Sequence, residues 1–297
     1  MAFQDARRTG SIAGTLSHSP ATRYLPIRCK IVDVRSAATC LTLQGWPQFR
    51  LESGTDAPMR IAIVSDIHDN LTAFEAVLAD LDKTSPDLVL HGGDLVGGGS
   101  SPAEIVDRVR DLRWPGVFGN SDEAVARPET LEEFARQSPA PPALWHAVRE
   151  MTAFTRGALG AERIAWLSAL PQIVIYPPVA LVHADPTSAW RSPLVNAADA
   201  ELESVYSSLG QAIAVYGHIH QSFVRILPRL TVINAGSVSQ SFDGDRRASY
   251  LLIEDGEANI RRVEYEIDLE INAMTDSGLP HADWIARSLR AARPQMP

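Results

Sequence analysis

The stretch from Met59 to Asn120 constrains the fold more than any other part of this 297-residue chain. Arg60–Ser65 is an unbroken apolar, β-branched run and reads as a buried strand. Leu71, Phe74, Val77, Leu78 and Leu81 then recur at helical spacing within Leu71–Lys83. Leu88–His91 reads as a second short strand. Ala103–Leu112 reads as a second helix, opened by Ser101-Pro102, and Val117-Phe118 as a third short strand. This alternation implies an α/β fold with a parallel sheet covered by helices. Such sheets carry their chemistry at the carboxyl ends of the strands.

The rhythm breaks after the third strand. Residues 123–170 contain several prolines and helical patterns at Thr130–Gln137, Ala143–Thr155 and Ala161–Leu170, and they read as an inserted helical cap. Beyond Pro171 the pattern turns to strands: Ile173–Tyr176, Ala180–His183, Ala212–Tyr216, Phe223–Leu227, Thr231–Asn234, Ser249–Ile253 and Asn259–Glu266. One helix, Ala198–Leu209, interrupts them. This half predicts a second, largely antiparallel sheet, bringing the main domain to residues 59–268. The tail, 269–297, carries a helix at Ala282–Ala292.

Residues 1–58 read as an appendage with no clear period beyond a short strand around Lys30–Val34. Residues 1–50 carry a net charge of +5, and the remainder −14. A loose arm, a weak transit-like segment, and sequence lying upstream of a true start at Met59 all fit that stretch.

Composition narrows the function. With 45% apolar and 21% charged residues, the chain is neither collagen-like nor largely disordered. No apolar run approaches the roughly 18 residues a membrane helix needs. The absence of a secretory apolar block near Met1 predicts a cytoplasmic protein without a membrane partner. A net charge of −9 argues against stable nucleic-acid binding. The two cysteines, Cys29 and Cys40, precede the main domain, so any metal there must be held by oxygen and imidazole.

Such groups occur at the strand ends. Asp66-x-His68 follows the first strand, Asp94 the second and Asn120 the third. His183 ends a later strand, and Gly217-His218-Ile219-His220 follows another. Singly, each has a plain alternative: Gly93-Asp94 as a turn, or Asn120 as a left-handed turn residue. Together they form an ordered set of three oxygen donors and four imidazoles, which suits Mn²⁺, Zn²⁺, Fe or Ni²⁺ better than Ca²⁺ or Mg²⁺. The set is too large for one ion that must also bind substrate. It suits two ions sharing a carboxylate, a common device for hydrolysing phosphate esters.

Asp66-Ile67-His68, Gly93-Asp94, Gly119-Asn120, His183 and Gly217-His218-Ile219-His220 resemble, in order, the five signature motifs of the calcineurin-like metallophosphoesterases. Asn234-Ala235-Gly236-Ser237-Val238, Asp243-Gly244-Asp245 and Arg247-Ala248-Ser249-Tyr250 look closest to that superfamily's small prokaryotic phosphodiesterase branch. The resemblance implies two packed mixed β-sheets flanked by helices, with a dimetal centre between the sheet ends. It assigns one divalent ion to Asp66, His68, Asp94 and His220, and the other to Asp94, Asn120, His183 and His218, with Asp94 bridging. Mn²⁺ is the expected metal. A metal-held hydroxide is then the expected nucleophile, acting on a small phosphodiester or monoester. The same metal set could serve a protein phosphatase or a dinucleoside-polyphosphate hydrolase, and the fold also occurs as a non-catalytic scaffold. The oligomeric state is left open.

The departures from the pattern bear on mechanism. The family's frequent Gly-Asn-His-Asp reads here Gly119-Asn120-Ser121-Asp122. The missing His is the family's usual proton donor to the leaving group. Ser121 is a poor acid, although the branch commonly carries Cys or Ser there. Asp122 either orients the attacking water or caps the next helix. Asp69 replaces a frequent Gly, and Gly97-Gly98-Gly99-Ser100 is expected to be a mobile loop without a stacking surface. His91 reads as packed or as orienting a ligand. Trp145, Trp166 and Trp190 read as core in preference to base-stacking platforms, and Arg191 and Arg225 either reach a phosphate or are ordinary surface arginines.

Overall fold

The computed structural model describes residues 59–297, so the expectations for 1–58, including the strand at Lys30–Val34, lie outside the described residues. In chain order the first elements are β1 (Ile61–Val64), α1 (Leu71–Thr84), β2 (Leu88–His91), α2 (Pro102–Leu112), α3 (Asn120–Ala126), α4 (Pro128–Gln137) and α5 (Pro142–Ser168). There follow β3 (Ile173–Tyr176), β4 (Val179–Val182), α6 (Asp199–Tyr206), β5 (Ile213–Tyr216), β6 (Phe223–Ile226) and β7 (Thr231–Asn234). The chain closes with β8 (Ala248–Glu254), β9 (Glu257–Val263), α7 (Ile267–Asp276) and α8 (Ala282–Ala291). None of the described helices is long and apolar enough to cross a membrane.

The strands form two mixed sheets, ordered β2-β1-β8-β9 and β3-β4-β5-β7-β6. β1 pairs in parallel with β2 and antiparallel with β8. It is therefore central and covered on both faces, which explains its unbroken apolar run. Ile61 and Ile63 point to the space between the sheets, with Leu90, Leu251 and Ile253. The second sheet meets them with Val179, Leu181, Ile213, Val215 and Ile233. Ala62 and Val64 face outward, onto Phe74 and Val77 of α1, Ile105 and Val109 of α2 and Leu159 of α5. On the far side, Leu202 and Tyr206 of α6 cover Val182, Ala214, Tyr216 and Val232. Residues 59–297 are thus layered helix, sheet, sheet, helix.

Two strand expectations are corrected. The second sheet is not largely antiparallel: β4, β5 and β7 run in parallel, and only the edge strands β3 and β6 oppose them. The hairpin β8–β9 instead completes the first sheet, so that sheet is not purely parallel. Local periodicity sets which face of a strand is buried, but not which strand it joins. Val117-Phe118 forms no ladder. Contact with β2 is a single bridge between His91 and Gly116, because the chain turns into α3 at Asn120.

Residues 123–170 form α3, α4 and α5. α5 runs through Thr155 to Leu159, whose side chain is buried, and departs from helical geometry only at Gly160. α7, absent from the sequence expectation, packs Met274 against Met151 of α5 and against Ile285 and Leu289 of α8.

Candidate metal centre

Each polar group singled out in the sequence emerges where a strand or bridge ends: Asp66 and His68 after β1, Asp94 after β2, Asn120 at the start of α3, His183 after β4, and His218 and His220 after β5. Backbone bonds knit these loops together. Asp66 N donates to Gly93 O and His68 N to Asp94 O, both at 3.0 Å, and Gly217 N donates to His183 O at 2.9 Å. The approach is too close for side chains at two glycines. A Cβ on Gly119 would lie 2.1 Å from Asp94 Oδ1, and one on Gly217 would lie 2.3 Å from Asp66 Oδ2. Asp66, His68, Asp94, His218 and His220 all hold φ between 48° and 65°. Such a conformation costs a non-glycine residue about 1–2 kcal/mol and is retained where the surroundings demand it.

The imidazoles are oriented by carbonyl groups. His68 Nδ1 lies 2.7 Å from Gly97 O, His183 Nδ1 2.8 Å from Gly92 O and His220 Nδ1 2.7 Å from Gln240 O. A carbonyl only accepts, so each Nδ1 carries the proton and each Nε2 turns toward the centre. His68 Nε2 and His220 Nε2 face each other at 3.1 Å. His220 Nε2 is 3.2 Å from Asp66 Oδ1, and His68 Nε2 is 3.5 Å from Asp94 Oδ2. Donor atoms from Asp66, His68, Asp94 and His220 all lie within 4.8 Å of one another, and all four residues are buried. A second group adjoins the first. Asn120 Oδ1 is 3.1 Å from His183 Nε2 and 2.8 Å from His218 Nδ1, and His183 Nε2 is 3.5 Å from Asp94 Oδ1. One oxygen of Asp94 thus faces each group. Lone pairs converging at these distances repel unless a cation lies among them, so the group of Asp66, His68, Asp94 and His220 fits a metal ion.

Electrostatics agree with that chemistry. Burial lowers the pKa of His68 despite the nearby Asp94 charge. Burial, reinforced by His183, lowers His218 to about 4. Both rings are therefore neutral, ligand-ready bases at neutral pH. Burial opposes ionisation of Asp66, but His220 outweighs it through charge and hydrogen bonding, and the carboxyl is held well below its ordinary range. Burial would also lower His220, and the Asp66 carboxylate raises it instead.

The remaining site candidates are placed as follows. Ser121 donates to Asp94 twice, from N to Oδ1 at 2.8 Å and from Oγ to Oδ2 at 3.0 Å, so it holds the shared carboxylate. Asp122 does not aim at the centre. Its Oδ1 accepts from Leu95 N and Val96 N, and its Oδ2 from Gly119 N at 2.9 Å. These three bonds, one of them from Gly119 at the start of α3, fit the capping alternative. The glycine loop expected to be mobile is anchored: Gly97 N donates to Asp69 Oδ2 at 2.7 Å and Ser100 N to Glu270 Oε1 at 3.2 Å. Burial pushes Asp69 up to about 8, even though backbone N–H groups of Gly97 and Gly99 favour its charged form. Arg225 is turned away, held by Ala197 O, Val195 O and Asp199. Trp166 packs against the core beside the first sheet.

Sequence reasoning missed the supporting groups. Phe242 stacks on His220 with ring centres 4.7 Å apart. Ser237 Oγ donates to Asp66 O at 2.9 Å. The carbonyls of Gly92, Gly97 and Gln240 carry no sequence signal, since every residue has one.

Known proteins resemble this chain in sequence and in fold. Residues 59–257 match the model of the calcineurin-like phosphoesterase superfamily domain. An uncharacterized protein of Methanocaldococcus jannaschii is 30% identical over 256 residues, spanning 78% of this chain and 98% of that protein. The crystal structure of a metallophosphoesterase from Sphaerobacter thermophilus is 29% identical, with a TM-score of 0.66 over 80% of this chain and all of that one. A hypothetical protein of Pyrococcus horikoshii shares the fold at 14% identity, with a TM-score of 0.69 over 80% of this chain and all of its own. With its ligand-bearing loops at the strand ends and its two mixed sheets, the chain belongs to the calcineurin-like phosphoesterase superfamily.

Proposed function

We propose that the protein is a metal-dependent phosphoesterase acting on small phosphodiesters, with Mn²⁺ as its working metal. The placement of Asp94 carries this reading: its two oxygens face His68 Nε2 and His183 Nε2, each at 3.5 Å. One ion would be held by Asp66, His68, Asp94 and His220, and the other by Asp94, Asn120, His183 and His218. When bound, two such ions supply a water acidic enough to attack phosphorus at neutral pH and a charge that stabilises the phosphoryl oxygens. The chain's own residues set the geometry. Three backbone carbonyls fix the imidazole tautomers. Ser121 and the α3 N-terminus hold Asp94 in its shared position. The donor set contributes only the two negative charges of Asp66 and Asp94, so it does not repel an anionic ester once loaded. Ser121 cannot protonate a leaving group near neutral pH, which favours esters whose leaving groups depart unaided.

The test is elemental analysis of Mn²⁺-loaded protein together with turnover of bis(p-nitrophenyl) phosphate and p-nitrophenyl phosphate. Two ions per chain and preferred cleavage of the diester are expected. Asp94→Asn should lose both metal and turnover, because the removed charge serves both ions. Less than one ion per chain after loading, or no turnover of either ester by metal-loaded protein, would overturn the proposal.

A further inference from the structure

The accessible side of the metal centre is where α3 begins. Asp66, His68, Asp94, His183 and His220 are buried, whereas Asn120, Ser121 and His218 are half-buried. A substrate therefore approaches past Asn120. Three residues along α3, about 4.5 Å by the helical rise, Glu123 lines a recess of about 400 Å³. Phe118, two residues before Asn120, lines it too, as do Trp190 and Arg191 of the loop that follows His183. The recess and the open side of the metal centre thus share two chain segments. Its volume falls within the range of small-molecule sites.

The lining is aromatic and charged, and it is fixed in place. The rings of Phe134 and Trp190 lie 4.9 Å apart, inclined by 32°. Trp190 Nε1 donates to Glu123 Oε2 at 2.6 Å, and Arg127 holds the other Glu123 oxygen. The Arg191 guanidinium sits 5.6 Å over Phe134 and donates to Gln137 Oε1 at 2.9 Å. Indole and guanidinium are therefore oriented before any ligand arrives, which reduces the ordering cost of binding. Flat rings bordered by a guanidinium, an amide and carboxylates match a flat aromatic group with its own hydrogen-bonding edge. An aliphatic alcohol would use almost none of this surface.

We propose that this recess binds the organic group of the ester, and that Trp190 and Arg191 select a flat, hydrogen-bonding aromatic ring of the nucleotide type. The inference rests on the phosphoesterase reading of the adjoining metal centre. It replaces the sequence-based assignment of Trp190 to the core.

The test uses two diesters with one leaving group, thymidine 5′-monophosphate p-nitrophenyl ester and methyl p-nitrophenyl phosphate, on the Mn²⁺-loaded protein. The wild type should prefer the thymidine ester in kcat/KM, with the difference in KM. Trp190→Leu should reduce that preference about tenfold, the scale of one lost base–aromatic stack. Trp190→Phe, which keeps a ring, should retain most of it. A preference unchanged by Trp190→Leu, or a parallel fall on both esters, overturns the inference and leaves Trp190 a structural residue. Calorimetry on the wild type with thymidine 5′-monophosphate and ribose 5-phosphate decides the matter even if the leucine variant does not fold. Equal affinities overturn the recess whatever the turnover. Selective binding of the thymidine compound without turnover of either ester overturns only the phosphoesterase reading.

Discussion

His91 closes β2 with its imidazole fully buried and no protein group hydrogen-bonded to either ring nitrogen. The neighbouring chain is tight against it: a Cβ on Gly116 would come within 2.3 Å of the ring. Burial pushes its pKa from 6.5 to about 3. The unfolded chain takes up this proton below about pH 6.5, and the folded chain does not until about pH 3. The stability tied to the neutral ring is therefore complete above pH 6.5 and is lost as pH falls toward 3. The slope is about 1.4 kcal/mol per pH unit. Between pH 7.5 and 5 the loss comes to about 2 kcal/mol, a large share of a typical domain's 5–15 kcal/mol. His91→Leu, similar in size, removes the titration and two unpaired polar atoms, and should raise stability by about 1–3 kcal/mol even at pH 7.5. Urea unfolding of wild type and variant, both under chelator, at several values between pH 7.5 and 5 measures this. The other histidines are present in both chains and cancel in the difference. That difference should widen by about 2 kcal/mol toward pH 5. A difference that stays flat would falsify the account, since His91 would then be protonated within the native fold.

Gly119→Ala should displace the shared carboxylate, because its Cβ would lie 2.1 Å from Asp94 Oδ1. Elemental analysis should show fewer than two ions per chain, and Tm should fall by the equivalent of about 1–3 kcal/mol; full metal content would mean the loop adapts. Ser121→His should favour alkyl or nucleoside esters over nitrophenyl esters, by a factor of up to about 10² where protonation limits the rate. With metal content equal in both proteins, a kcat/KM ratio that does not move would place the proton source elsewhere. A chain beginning at Met59 should melt and turn over like the full chain; a several-fold loss of kcat/KM would assign residues 1–58 to the site.

The sequence by itself determined most of the element order, though not α3 or α7, and the residue types that gather at the strand ends. β1 could be read because a strand buried on both faces must be apolar throughout, and α1 because its buried residues recur at helical spacing. Asp66, His68, Asp94, Asn120, His183, His218 and His220 could be read because chemistry demands those residue types where strands end. Tertiary structure decided the rest. Only long-range pairing could send β8 to the side of β1 across nearly two hundred residues. Only the closed fold could engage Asp122 with three backbone N–H groups, which its place in a familiar motif does not reveal. The tautomers of His68, His183 and His220 rest on main-chain carbonyls, which no residue identity encodes. Trp190 resembles any core tryptophan until the loop after β4 folds against α3 and α4 and its indole donates to Glu123 in the lining of a recess. Side-chain type and spacing are local properties, whereas partners and open space are set only when distant segments meet.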